Sequence, residues 1–128
     1  MRTFKIERIR DVALTPDGFD PPDAEIDGMF ELAWDIIADQ EPVDVVLRFA
    51  AKVASRVREA RWHPSESVAE EADGSLTWRA TVAGPIEIRL WILSWGDDVE
   101  VVEPPSLRDD VAATHRRAAD RYAARLQA

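Results

Sequence analysis

Apolar and polar positions change period several times along this chain of 128 residues, and each change predicts a new element. Phe4, Ile6 and Arg8 alternate with Thr3, Lys5 and Glu7, the two-residue period of a strand. Leu14-Thr15-Pro16-Asp17-Gly18 then ends that segment in turn chemistry. After the stiff polar connector Asp20-Pro21-Pro22-Asp23, the residues Ile26, Met29, Phe30, Ala33, Trp34 and Ile37 recur at three- and four-residue steps, which predicts a helix from about Ala24 to Ala38. Glu41-Pro42 breaks the chain and marks a domain boundary. Val43, Val45, Leu47 and Phe49 restore the strand period, and Ala50, Val53, Ala54 and Val57 follow at helical spacing.

Val68, Leu76, Trp78, Ala80 and Val82 mark two further strands joined around Asp73-Gly74, a dipeptide suited to a tight hairpin turn. From Ile86 to Trp95 the period is ambiguous. Ile86, Ile88, Leu90 and Ile92 fit a strand, whereas Ile86, Leu90 and Leu93 fit a helix; Pro85 at the start and Gly96 past the end favour the helix. Asp98 to Glu103 is a short strand stopped by Pro104-Pro105. Ser106 is placed to cap a last helix, with Asp109 and Asp110 in its first turn and Leu107, Val111, Ala118, Tyr122 and Leu126 as its stripe. From Val43 to Glu103 the order strand, helix, strand, strand, helix, strand predicts an α+β fold. It is a ferredoxin-like βαββαβ sandwich with a C-terminal helix, preceded by a strand and a linking helix.

Composition narrows the function. With no cysteine, thiolate metal sites, cysteine nucleophiles and disulfides are excluded, in keeping with a reducing cytoplasm. No apolar run approaches the roughly 20 residues that span a bilayer, so no membrane partner is expected. The net charge of −9 opposes non-specific nucleic-acid binding by the bulk surface. Its distribution says more. Arg2, Lys5, Arg8 and Arg10 make the first ten residues basic; Arg116, Arg117, Arg121 and Arg125 do the same for the last helix; no basic residue stands between Asp11 and Leu47. The basic ends and the acidic middle can attract one another or a second copy of the chain.

The motifs taken in order resemble the C-terminal part of WYL-domain transcriptional regulators. They are Arg-x-Phe-x-x-x-Arg-Ile at Arg2 to Ile9, Val-x-Val-x-Leu-x-Phe at Val43 to Phe49, Arg61-Trp62-His63-Pro64-Ser65, Asp73-Gly74 and Trp91-Ile92-Leu93-Ser94-Trp95-Gly96. Trp95 stands where many relatives have Phe. The resemblance implies residues 1–15 as the last strand of a WYL domain, an Sm-like barrel; 16–41 as linker and helix; and 42–128 as the ferredoxin-like WCX extension with its C-terminal helix. The Trp-Tyr-Leu tripeptide and the winged helix-turn-helix of such regulators are not in these residues, so the resemblance implies either a piece of a longer regulator, which the lone strand favours, or a natural remnant of one. That regulator would be a homodimer that binds DNA through the absent domains and senses a nucleic-acid or small-molecule effector at the WYL domain.

Arg2 and Arg8 match barrel positions whose guanidinium groups can face such an effector. Arg61, Trp62 and His63 form a cluster that either meets a ligand or packs under a sheet edge and fixes the turn at Pro64. Trp95 and the stripe Arg117, Arg121 and Arg125 are the interface candidates, while Trp78 and Trp91 are assigned to the core. His115 reads as a packed histidine and Asp97-Asp98-Val99-Glu100 as a solvated turn. No metal, cofactor or catalytic set is expected, because no acid, base and nucleophile converge in the sequence. A small-molecule-binding ferredoxin-like sensor domain is the alternative, to be recognised by a closed apolar pocket lined by Trp62, Trp78 or Trp95.

Overall fold

The alternation from Val43 to Phe49 is that of a strand with one buried face, and in the computed structural model, which describes residues 6–20, 28 and 30–126, it forms β1, Pro42–Phe49. A single 3-10 turn, Ala51–Val53, leads into the short helix α1, Ala54–Arg58. The hairpin follows as β2, Ser67–Glu70, and β3, Leu76–Ala83. Helix α2, Ile86–Ser94, strand β4, Val99–Glu103, and helix α3, Pro105–Leu126, complete the chain.

The four strands form one antiparallel sheet in the order β2-β3-β1-β4. β1 and β3 pair along their whole length, from Pro42 opposite Ala83 to Phe49 opposite Leu76. β4 borders β1 with Leu47 opposite Val101, and an irregularity between Val46 and Leu47 shifts its register. β2 borders β3 from Ser67 opposite Arg79 to Glu70 opposite Leu76. First and third strands at the centre, each crossover carrying a helix, make the ferredoxin-like arrangement that the element order predicts.

Because successive side chains point to opposite faces, one face carries Val45, Leu47, Phe49, Leu76, Trp78, Ala80, Val82 and Val101, all buried. Ala54 and Val57 of α1, Ile88 and Ile92 of α2, and Leu107 and Val111 of α3 close over them in one continuous core. No helix among the described residues covers the middle of the other face. Its β1 and β3 residues are Asp44, Val46, Arg48, Thr77, Arg79 and Thr81, with no aromatic ring among them.

At four places the structure differs from the sequence reading. The strand through Phe4, Ile6 and Arg8 is not formed: Ile6–Arg8 is a 3-10 turn, Phe4 lies outside the described residues, and Ile6, Ile9, Val12, Leu14 and Phe19 are exposed. Alternation without a neighbouring strand to take up the backbone hydrogen bonds does not make a sheet. The linking helix does not extend to Ala38. Ile26 and Met29 lie outside the described residues; Phe30 to Leu32 form a turn, and residues 33–41 are irregular. The amides of Asp35, Ile36 and Ile37 bond to the Glu87 carboxylate and not to carbonyls four residues back. The hairpin loop spans residues 71–75, longer than a tight two-residue turn, with Gly74 at φ +78° and Glu71 N–H donating to Ser75 C=O at 2.8 Å. Finally α3 starts at Pro105, a favoured first helical residue because it has no N–H to leave unpaired. Ser106 therefore lies inside the first turn, and Asp109 and Asp110 follow that turn.

Candidate functional site

The residues that join α1 to β2 are ordered by their own polar groups. The Trp62 and His63 amides donate to Glu66 Oε2 at 3.0 and 3.3 Å, and the Trp78 indole N–H donates to the same oxygen at 2.7 Å. Trp62 Nε1 donates to the Val57 carbonyl at 2.8 Å. Arg61 turns back on its own loop, its guanidinium donating to the Pro64 carbonyl at 2.5 Å. His63 is only 1% exposed. Its Nδ1 lies 2.8 Å from Ser65 Oγ and 3.2 Å from the Ser65 amide nitrogen. Ser65 Oγ in turn donates to the Thr81 carbonyl and accepts the Thr81 amide, at 3.0 and 2.9 Å, standing in for a strand neighbour where β2 has not yet begun.

Ser65 and His63 thus reach the distance of a nucleophile and base. The hydroxyl is already shared with the β3 backbone, however, and His63 Nε2 meets no hydrogen-bond partner among the described residues, so no carboxylate orients the ring. This pair is built to fix a loop on a sheet edge.

Above the loop all five tryptophans converge. The Trp91 ring centroid lies 4.8 Å from Trp34, 5.2 Å from Trp62, 5.4 Å from Trp78, 5.9 Å from Trp95 and 5.7 Å from Phe49. Tilted and edge-on angles predominate, as the ring quadrupole favours. Trp34 also lies parallel to His63, 4° between planes at 5.9 Å. Trp95, an interface candidate in the sequence, is instead a core residue at 8% exposure. Its edge meets Phe49 at 5.2 Å, and the Arg56 guanidinium covers its ring at 4.8 Å. Helix α2 turns it inward because its position follows Ile88, Trp91 and Ile92 on the sheet-facing side. Trp62, read as a loop aromatic, is part of the same cluster.

Two residues that carried no signal in the sequence hold this arrangement. Glu66 gathers three N–H groups below the cluster. Glu87, in the first turn of α2, gathers the amides of Asp35, Ile36 and Ile37 on Oε2 at 3.0, 3.1 and 3.1 Å. A carboxylate two residues after the Pro85 helix start is the only sequence hint, and it reads as ordinary helix-dipole chemistry.

Open clefts mark the surface of the described residues, and three of them are not lined by a tryptophan. One of about 310 Å³ is lined by Asp73, Asp97, Asp98 and Glu100 beside Arg48. There Lys52 pairs with Asp98 at 2.5 Å, and the hydrogen bond and charge of Asp98, with Asp97 beyond, raise the Lys52 pKa above its ordinary value. Across the cleft, hydrogen bonds from the Ser75 hydroxyl and amide, and the nearby Arg48 guanidinium, lower the Asp73 pKa. A second cleft, of about 330 Å³ on the sheet face opposite the helices, is lined by Asp44, Ser65, Ser67, Arg79 and Thr81. A third, of about 480 Å³, runs along α3 by Thr114, Arg117, Ala118, Asp120 and Arg121. No group of three or more His, Asp or Glu side chains among the described residues is placed to hold a metal ion.

Helix α3 is bound to the body only through its first half. Leu107 and Val111 are buried, Arg89 of α2 pairs with Asp110, and its Nη2 donates to Thr114 Oγ1 at 2.7 Å. His115 is half-buried, and every residue from Arg116 to Arg125 is exposed. Arg117 donates to Thr114 Oγ1 at 2.9 Å. Arg117, Arg121 and Arg125 form no ion pair among the described residues. Arg8 is exposed at the end of its 3-10 turn, and Arg2 lies outside the described residues. The structure therefore brings Trp62 of the Arg61 to His63 loop together with Trp95 in the aromatic cluster, 6.1 Å between ring centroids, and leaves the helical stripe and Arg8 apart from it.

No helix among the described residues is long and apolar enough to cross a membrane. No curated protein matches the chain. A family model, that of the WCX domain, matches residues 41–119, which begin where the irregular segment meets β1 and end inside α3. That match takes in the whole sheet, both crossover helices and the aromatic cluster apart from Trp34, and the chain belongs to the WCX domain family.

Proposed function

We propose that the chain is the regulatory and dimerisation module of a WYL-type DNA-binding transcriptional regulator, relaying effector sensing to a winged helix-turn-helix beyond these residues. Membership of the WCX family supports the regulatory setting. The overhang of α3 is the observation that carries dimerisation. Its packing stripe of Leu107, Val111 and Thr114 continues as Ala118, Arg121, Tyr122 and Arg125 after the body has ended, with Tyr122 73% exposed. At 1.5 Å per residue, 116–125 extend about 15 Å beyond it, and a helical end of this length gains little stability by itself in water. Its arginines suit the acidic cleft of Asp73, Asp97, Asp98 and Glu100 on a second copy. In a two-fold pair that contact occurs twice.

Size-exclusion chromatography with light scattering over a hundredfold concentration range tests this. The expected result is a dimer that dissociates when Arg117, Arg121 and Arg125 are all changed to Glu; a monomer throughout, with no self-association burying more than about 1,000 Å² in a crystal, overturns it. The chain is read as a non-enzyme without cofactor or metal, located in the cytoplasm. The alternative, a small-molecule-binding sensor, draws support from one observation: Arg79 stands in the cleft on the face opposite the helices and has no ion pair among the described residues. Binding of small carboxylates or phosphates that is lost in Arg79→Gln would favour it.

A further inference from the structure

Residues 32–40 lead into β1, yet no regular element holds them. Leu32 C=O accepts the Ala83 amide at 2.6 Å, and at the other end the Gln40 side chain lies against Gly84, where a Cβ would overlap it. Between these points Ala33 is buried, and the polar and aromatic contacts come from two side chains. Glu87 binds three successive amides, at Asp35, Ile36 and Ile37. Trp34 lies over the aromatic face, 4.8 Å from Trp91, 6.0 Å from Trp78 and parallel to His63.

We infer that residues 32–40 are a strap that detaches as a unit from the aromatic face, with Glu87 as its latch and Trp34 as its plug. This deepens the relay reading and rests on it: the strap is the stretch of chain through which a displacement of the preceding residues reaches the WCX core. The physical basis is a contrast in how the bonds are distributed. The β1 and β3 ladder spreads over eight residue pairs and opens only with the whole sheet. The strap has no such ladder: besides one backbone bond at Leu32, the Gln40 contact and the buried Ala33, it is held by one carboxylate and one indole, so its opening is a local event of lower free energy than global unfolding. Charge-assisted bonds from three amides are strong individually, but a single side chain carries them all. Closure also has an opposing cost, because the 1%-exposed His63 keeps a buried Nε2 with no partner among the described residues, and water admitted by opening would satisfy it.

Native-state hydrogen exchange of the full chain, followed residue by residue at low denaturant, tests the strap. In the unaltered protein the amides of Asp35, Ile36 and Ile37 should exchange through a denaturant-independent opening, whereas those of Leu47 and Trp78 should exchange only with global unfolding. Glu87→Ala should accelerate the three strap amides by about tenfold or more and leave Leu47 and Trp78 unchanged. Glu87→Gln, which keeps an acceptor oxygen but loses the charge, should fall between. Equal acceleration at strap and central strands, or a denaturant-dependent opening of the strap in the unaltered protein, overturns the inference, as does no acceleration at the strap. Light scattering on Glu87→Ala separates this from the dimerisation reading, since a strap that opens locally leaves the molar mass unchanged.

Discussion

Single side chains in this domain act mainly by what they gather. Trp91 touches four other tryptophans and Phe49, so Trp91→Ala removes the hub of the cluster and should cost about 3–5 kcal/mol, read as a lower urea midpoint. Gly84 is held at φ +72° with the Gln40 side chain where a Cβ would be. Gly84→Ala should lose about 1–2 kcal/mol to the left-handed backbone alone, and pairing it with Gln40→Ala should recover only the steric part of the total loss. Asp73 offers a pH test. Its pKa is lowered in the folded state, so its contribution is full above the ordinary value of 3.8 and is lost as pH falls through the lower folded value. Asp73→Asn should therefore reduce the melting temperature at neutral pH. The gap to the unaltered protein should narrow below about pH 4, and a gap independent of pH would exclude the Ser75 and Arg48 contacts as its cause.

At the level of elements, what could be read in advance was what has a strong period or a stop signal of its own. The alternation in β1 and β3, the break at Pro104-Pro105 and the helical reading of Ile86 to Ser94 agree with the structure. That last segment was ambiguous in its apolar residues. Its helix was decided by Pro85 and by Gly96, which takes φ +62° just past the end. The linking helix stops short of Ala38 although Trp34 and Ile37 satisfy a helical period, because the amides of Asp35 to Ile37 are held by Glu87, some fifty residues along the chain. No local pattern announces a carboxylate that takes amides from a distant segment. Ile6 to Arg8 show the reverse failure, a strand period that forms a 3-10 turn because it has no sheet to join. The overhanging half of α3 is likewise an element-scale feature. Shortening the chain after His115 should leave the melting temperature of the body nearly unchanged, because Arg116 to Arg125 are all exposed, while it should abolish any self-association.

For the molecule as a whole, opposite charge is segregated between the free end of α3 and the acidic cleft at the β4 end of the sheet. Self-association through these surfaces should weaken as salt rises, because exposed charges beyond about 8–10 Å are screened at physiological ionic strength. Light scattering at low and high salt checks this, and a salt-independent dimer would point to an apolar contact instead. The sequence by itself determined the order of strands and helices, and with it the ferredoxin-like sheet, because alternation, helical spacing and proline or glycine stops are local properties of consecutive residues. It also determined the charge segregation and the family resemblance. Only the tertiary structure decided that five tryptophans far apart in the chain form one cluster, that Trp95 lies inside, and that Glu66 and Glu87 fasten two irregular segments over that cluster. These depend on which face each element turns toward the sheet and on which distant groups then come within hydrogen-bond reach, and neither is encoded in the spacing of neighbours along the chain.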